Sequence, residues 1–384
     1  MMKIPMSSPD LTDADRQAVI DVVNTPNLSM GRRILDFEAA FCELTGRKHA
    51  IGVNSGTAGL HLCVRAAGIG PGDLVITTPF SFVASSNVLL FENAVPVFVD
   101  IDLRTGNIDP ELVADAARNI EKYLPRVIQR AAPLRAIIPV DVFGQPADMD
   151  PINAVAEEHG LKVIEDSCEA LGAEYKGRQA GTLGDYGVFA FYPNKQITTG
   201  EGGMVVTDDD KAADFMRSLR NQGRAVGDTW LQHTHLGYNY RLDEMSAAMG
   251  AVQMHRLDEL LAKREQVADW YEARLSEIPG VDVPIVESYT TRMSWFVYVI
   301  RFDPKVDRDA LAKRLEEKGV PARPYFLPIH LQPYMVERFG WREGDFPVTE
   351  DLGRRGLALP FSSVMTEEQV EYVCGSIREI LSAA

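Results

Sequence analysis

The chain has 384 residues, of which 46% are hydrophobic and 24% charged, values ordinary for soluble globular domains and wrong for disordered, collagen-like or coiled-coil chains. At roughly 100–200 residues per domain, two domains are expected. Lysine and arginine number 39 against 55 acids, a formal net charge of −16; this argues against a general nucleic-acid binder, which needs a basic face.

The four cysteines, Cys42, Cys63, Cys168 and Cys374, are widely spaced and contain no CxxC pair. They read as reduced thiols of a cytoplasmic protein. The N-terminus has no apolar h-region, so no signal peptide is expected. No apolar run approaches the roughly 20 residues of a membrane span.

Residues 12–24 and 33–45 carry apolar residues at helical spacing, the second stretch ending at Gly46. HAIGV (49–53) is a short apolar run followed by NSGT and a helical segment. DLVITTP (73–79), PVFVDID (96–102), RAIIPVDVFG (135–144), LKVIEDS (161–167), YGVFAFYP (186–193) and GGMVVTD (202–208) complete a set of strands. They lack clean alternation and most are separated by helical segments, which predicts a mostly parallel sheet buried on both faces. From Arg256 a long polar helix leads to MSWFVYVIRF, a strand, and to helices at 308–319 and 366–381. The expected division is a large domain over 1–255 and a smaller α+β domain over 256–384.

The glycines of GIGPGD (68–73) precede a strand, so they form a turn and not a dinucleotide fingerprint; no Walker A motif occurs. NSGTAG (54–59) joins a strand end to a helix start, where backbone N–H groups and the helix dipole favour an anion. The plain alternative is a capped turn. LKVIEDS places Glu165 and Asp166 at a strand's C-terminal edge, where α/β sheets bind ligands. They point in opposite directions, so only one can serve a given side. FYPNKQITTGEGG delivers Lys195 from an apolar strand into a loop of small residues; desolvation would make it a nucleophilic amine, unless its head reaches solvent. Phosphate cradle, carboxylate and Schiff-base lysine, in that order, suit pyridoxal phosphate (PLP).

These stretches, with GDLVITTPFSFVASSN, IIPVDVFGQPADM, VIEDSCEALGA, LGYNYRLDEMSAA and RPYFLPIHLQPYM, resemble the DegT/StrS sugar aminotransferases, a group of fold-type-I PLP-dependent transferases. The resemblance implies that Lys195 links to the PLP aldehyde and that Asp166 pairs with its ring nitrogen. It implies Gly56 and Thr57 at the phosphate, Phe82 stacked on the ring, and Glu169 near the phenolic oxygen. Tyr325 and His330 would lie near the sugar. Asn239 would reach the cofactor of the neighbouring subunit in a homodimer with shared sites. The implied reaction moves an amino group from L-glutamate to a nucleotide-linked keto-sugar, most simply a 4-keto-6-deoxy hexose. A PLP-dependent sugar dehydratase and a non-catalytic PLP-binding regulator are the alternatives; Lys195 argues against the first and the complete residue set against the second.

Two positions depart from the group's pattern. Ala190 stands where many members carry a phosphate-binding serine, a loss of about 0.5–1.5 kcal/mol if nothing substitutes. Glu169 replaces Gln or His, and a carboxylate there would repel a phenolate unless protonated or turned aside. His233 and His235 form an HxH without an evident third ligand, so no metal is expected. Arg217, Arg220, Arg224 and Arg241 read as a solvated face or as a diphosphate site.

Overall fold

The computed structural model describes residues 2–128 and 132–383. Its strands in chain order are β1 (His49–Val53), β2 (Leu74–Thr77), β3 (Val95–Phe98), β4 (Leu134–Ile138), β5 (Lys162–Asp166), the short β6 (Glu174–Tyr175) and β7 (Arg178–Gln179), β8 (Tyr186–Ala190), β9 (Gly203–Thr207), β10 (Val281–Asp282), β11 (Thr290–Arg292), β12 (Tyr298–Phe302) and β13 (Gly356–Leu359). Among the described residues, seven of them form one sheet in the order β1-β9-β8-β5-β4-β2-β3. All neighbours from β3 to β8 pair in parallel, and β9 runs antiparallel to both β8 and β1. The expected mostly parallel sheet is therefore present.

Helices α1 (Asp13–Val23) and α2 (Arg32–Thr45) precede β1; α3 (Gly56–Ala66), α4 (Ala84–Phe91), α5 (Pro110–Arg118) and α6 (Met149–His159) leave the ends of β1 to β4. After β9 come α7 (Asp210–Arg220) and α8 (Glu244–His255). The strands are apolar at successive positions because both faces are covered. Val75, Ala136, Ile138 and Ile164 pack with Leu60 and Val64 of α3 and Met216 of α7. Leu74, Ile76 and Ile137 point the other way, onto Val113 of α5 and Ile152 of α6. Phe189, Met204 and Val206 meet Phe37 and Phe41 of α2.

The C-terminal part continues with α9 (Leu257–Leu275), α10 (Arg308–Glu317), α11 (Pro333–Phe339), α12 (Pro347–Arg355) and α13 (Glu367–Ser382). A three-stranded sheet, β10-β12-β13, packs on α9, α10 and α13. Packing crosses the expected 255/256 division. Leu257, Leu260 and Leu261 of α9 sit in the large-domain core, while Val267, Tyr271 and Leu275 sit in the small one. Ile4 lies in the small core, and Met335 and Phe339 of α11 lie under the large sheet. No helix among the described residues is long and apolar enough to cross a membrane.

Candidate active site

β1, β2, β4, β5 and β8 run in the same direction, so their C-terminal ends share one edge of the sheet. A cavity of about 520 Å³ opens there, lined from the loops beyond all five. This is where α/β sheets bind ligands, and the volume falls within the roughly 300–1,000 Å³ of small-molecule sites.

One end of the cavity is the start of α3. Ser55 caps the helix, its Oγ accepting the Ala58 N–H at 3.1 Å. The preceding amides, those of Gly56 and Thr57, have no intrahelical acceptor by construction. Gly56 is required for packing: a Cβ there would stand 2.8 Å from both Ala190 Cβ and Cys168 Sγ. Ala190 thus occupies space against Gly56.

Asp166 ends β5 and lines the cavity. Its Oδ2 accepts the Ser85 hydroxyl at 2.8 Å, and Ser85 in turn meets Ser81 at 2.7 Å. Its Oδ1 accepts the Cys168 N–H at 3.2 Å. Glu165 points to the opposite side, where the N–H groups of Gly181 and Leu183 hold it at 2.7 Å each. Alternation along β5 separates the two acids as the sequence predicts.

Lys195 follows β8 in a loop folded back on Tyr192, and its side chain is 12% exposed. Its Nζ lies 3.6 Å from the centre of the Phe296 ring and 3.7 Å from Glu169 Oε1. Glu169 is buried, and its Oε2 accepts the Phe143 N–H at 2.9 Å. Burial pushes this carboxyl above its ordinary range, although Lys195 and the Phe143 amide pull it down. Glu169 is therefore turned toward Lys195, with its carboxyl raised above the ordinary range by burial.

Aromatic residues wall the side facing the C-terminal part. Tyr325 lines the cavity, and burial pushes its hydroxyl up to about 12. Phe326 stacks on Phe143 at 5.4 Å. Phe82 also lines the cavity, yet it is 62% exposed.

Two expected residues lie elsewhere. His330 is fully buried outside the cavity lining, its Nε2 3.0 Å from Glu350 Oε1 and its ring edge-on to Phe346. It packs beneath the large sheet with α11, so this chain does not present it to a sugar in this cavity. Asn239 is exposed and also outside the lining; its carbonyl accepts from Asn54. Arg220 is no diphosphate ligand. It is buried against Glu38 and the Gly52 carbonyl, at 2.5 and 2.7 Å. His233 and His235 bond Gln222 and Ser218, and no metal-holding cluster occurs among the described residues.

Sequence reasoning missed the Ser81–Ser85 relay behind Asp166. The signal was available, since SFVAS puts Ser85 in the first turn of α4 and Ser81 in the turn leading into it, within reach of each other.

The class follows from where the strands deliver these groups: the sheet order, with a lysine beyond β8 and a carboxylate ending β5, is that of a fold-type-I PLP-dependent transferase. The cavity's contents fit the group, with helix amides at one end, a fixed carboxylate at the middle and a shielded amine opposite. Comparison with known proteins agrees. The profile of the DegT/DnrJ/EryC1/StrS aminotransferase family matches residues 9–378. GDP-perosamine synthase of Caulobacter vibrioides is 39% identical, over 99% of this chain and 98% of the relative. Spore coat polysaccharide biosynthesis protein SpsC of Bacillus subtilis is 36% identical over the same shares. The structure of Helicobacter pylori PseC, described as an aminotransferase involved in the biosynthesis of pseudoaminic acid, superposes with a TM-score of 0.91 at 29% identity, covering 100% of both chains. The chain belongs to the DegT/DnrJ/EryC1/StrS aminotransferase family, and it is a PLP-dependent aminotransferase.

Proposed function

We propose that this aminotransferase moves the amino group of L-glutamate onto a nucleotide-linked keto-sugar, a 4-keto-6-deoxy hexose being the favoured acceptor. The observation that carries the reading is the meeting of Lys195, Asp166 and the α3 N-terminus around one cavity. The relatives' names, among them GDP-perosamine synthase, support a nucleotide-sugar acceptor.

Lys195 would hold the aldehyde carbon of PLP, Asp166 its ring nitrogen, and Gly56 and Thr57 its phosphate. When bound, PLP supplies an electron-withdrawing ring and a carrier for the amino group between two half-reactions. Asp166, fixed by Ser85, would keep a proton on the ring nitrogen. Lys195 Nζ, freed when the donor amine takes its place on the aldehyde carbon, would take the proton from the glutamate α-carbon in the first half, and in the second half it would return a proton to the sugar carbon. The walls of Phe296, Phe326 and Tyr325 keep water from that amine. Glu169, 3.7 Å from Lys195 Nζ, sets the charge beside that amine, and the burial that raises its carboxyl lessens its repulsion of a phenolic oxygen.

The partner in this reading is a second copy of the chain, bringing Asn239 to its neighbour's cofactor. Two features favour it: Asn239 is exposed away from its own cavity, and Phe82 at the cavity mouth is largely uncovered.

The test is a panel of nucleotide-linked keto-sugars offered to the purified enzyme with L-glutamate. Formation of 2-oxoglutarate that depends on a 4-keto-6-deoxy sugar supports the reading. Sugar consumption without any 2-oxoglutarate would favour a dehydratase.

A further inference from the structure

Arg264 lies mid-way along α9 and is 2% exposed. Charged side chains are seldom buried unless paired with an opposite charge. No carboxylate pairs with Arg264 among the described residues. Its acceptors are four backbone carbonyls: Nη2 donates to Asn194 at 3.1 Å and Lys195 at 2.6 Å, and Nη1 to Trp295 at 3.0 Å and Phe296 at 3.2 Å. Burial pulls its pKa down to about 10.

Losing this group would leave the four carbonyls without this donor, at some cost in stability. The geometry of the four acceptors points to a further use. They belong to two segments far apart in sequence, the loop carrying Lys195 and the segment carrying Phe296. The same two residues meet again inside the cavity, where Lys195 Nζ stands 3.6 Å from the Phe296 ring centre. A guanidinium is a flat, rigid fork, so its two terminal nitrogens fix the separation of whatever they hold. Lysine has a long flexible stem, and its amine can be placed reproducibly only if backbone and resting surface are both fixed. Arg264 holds the backbone of each. Trp295 has φ +50°, uncommon for a bulky residue, and its carbonyl is one of those held. Gln196 adds a second tie, donating to Ser294 Oγ at 2.9 Å and to the Glu169 carbonyl at 2.6 Å.

We propose that Arg264 is a positioning residue for transamination: it locks the Lys195 loop to the Trp295–Phe296 segment and thereby sets the reactive amine against its aromatic wall. The proposal rests on the reading that Lys195 carries the cofactor.

The experiment compares Arg264→Lys and Arg264→Ala with the parent enzyme. Arg264→Lys keeps a charge and a long stem but offers one nitrogen where two are needed. It should fold, bind PLP and keep its KM for glutamate, while kcat falls about tenfold or more, the scale of loss expected from misplacing a reacting group. In the cofactor-free protein, the rate at which an amine-acylating reagent labels Lys195, read by mass spectrometry, should also change. Added guanidinium ion should restore Arg264→Ala by several fold, and sodium chloride at the same ionic strength should not. A kcat of Arg264→Lys within twofold of the parent would overturn the proposal. So would labelling unchanged in both variants, or a loss that follows the melting temperature without guanidinium rescue. Two variants that both fail to fold would make Arg264 a folding residue and equally overturn it. Borohydride trapping of PLP on a different lysine in the parent would remove the underlying reading instead, a result that no Arg264 variant can produce.

Discussion

Glu165 and Asp166 leave β5 in opposite directions, and their surroundings assign them different work. Glu165 is held by backbone amides on the far side, whereas Asp166 faces the cavity with Ser85 behind it. Asp166→Asn keeps the shape and removes the charge; activity should fall on the order of 10²-fold or more, about 2.7 kcal/mol in the barrier. Glu165→Gln should lower the melting temperature and spare PLP binding. If steady-state kinetics show Glu165→Gln to be the more damaging to kcat, the assignment of the two acids is wrong. Glu169 yields a pH-dependent prediction. Folding raises its carboxyl above the ordinary 4.5, burial being the main cause. A raised carboxyl contributes stability that is complete below pH 4.5 and is lost as pH rises through the folded-state value. Lys195, Asp166 and Tyr325 face it, and among these Lys195 opposes the rise. Glu169→Gln cannot ionise. In the cofactor-free protein its melting temperature, relative to the parent, should therefore be higher at pH 8 than at pH 5. An equal difference at both values would mean that Glu169 titrates alike in the folded and unfolded chain.

At the scale of elements, the start of α3 shows how packing builds a site. Gly56 lets the helix end lie against β8, where an added Cβ would stand 2.8 Å from that of Ala190. Gly56→Ala would push the two apart; overpacking of this kind costs about 1–3 kcal/mol. PLP affinity, measured by fluorescence titration, should weaken about tenfold or more, since 1.4 kcal/mol is a factor of ten. Unchanged affinity would show that the phosphate does not use this helix end. The strands were legible in the sequence because each is an apolar run wedged between turns. Asp166 was legible because it ends one of those runs, and Lys195 because it follows another in a loop of small residues. Helix α5 was not read, although Asp109 caps it and Pro110 opens it, because only Val113 and Ala116 of its face are buried. α9 reads as a polar helix leading away from the sheet, yet it enters two cores and buries Arg264. No local pattern reveals that, since the carbonyls binding Arg264 lie 31 and 69 residues away or at similar separations. His330 is hidden from sequence reading for a similar reason: its partner Glu350 lies in α12 and the ring against it, Phe346, immediately precedes that helix, and together they draw it inward.

At the scale of the molecule, the uncovered surface bears on assembly. Trp230 is 82% exposed, and Val226 and Leu236 are also exposed, all in the loop that leads to Asn239. In the proposed two-fold dimer, apolar side chains exposed in this loop would be covered twice. Lys195→Ala chains mixed with Asn239→Ala chains should then regain activity on subunit exchange, because each mixed dimer would hold one site free of both defects. Mixed dimers no more active than their parents would place Asn239 outside the neighbour's site. The central claim, that the cavity at the carboxyl edge of the sheet holds PLP on Lys195, is tested most directly by reducing the PLP-loaded enzyme with borohydride and mapping its peptides by mass spectrometry. The pyridoxyl mass is expected on the peptide containing Lys195 and on no other; its appearance on any other lysine, with Lys195 unmodified, would contradict the account.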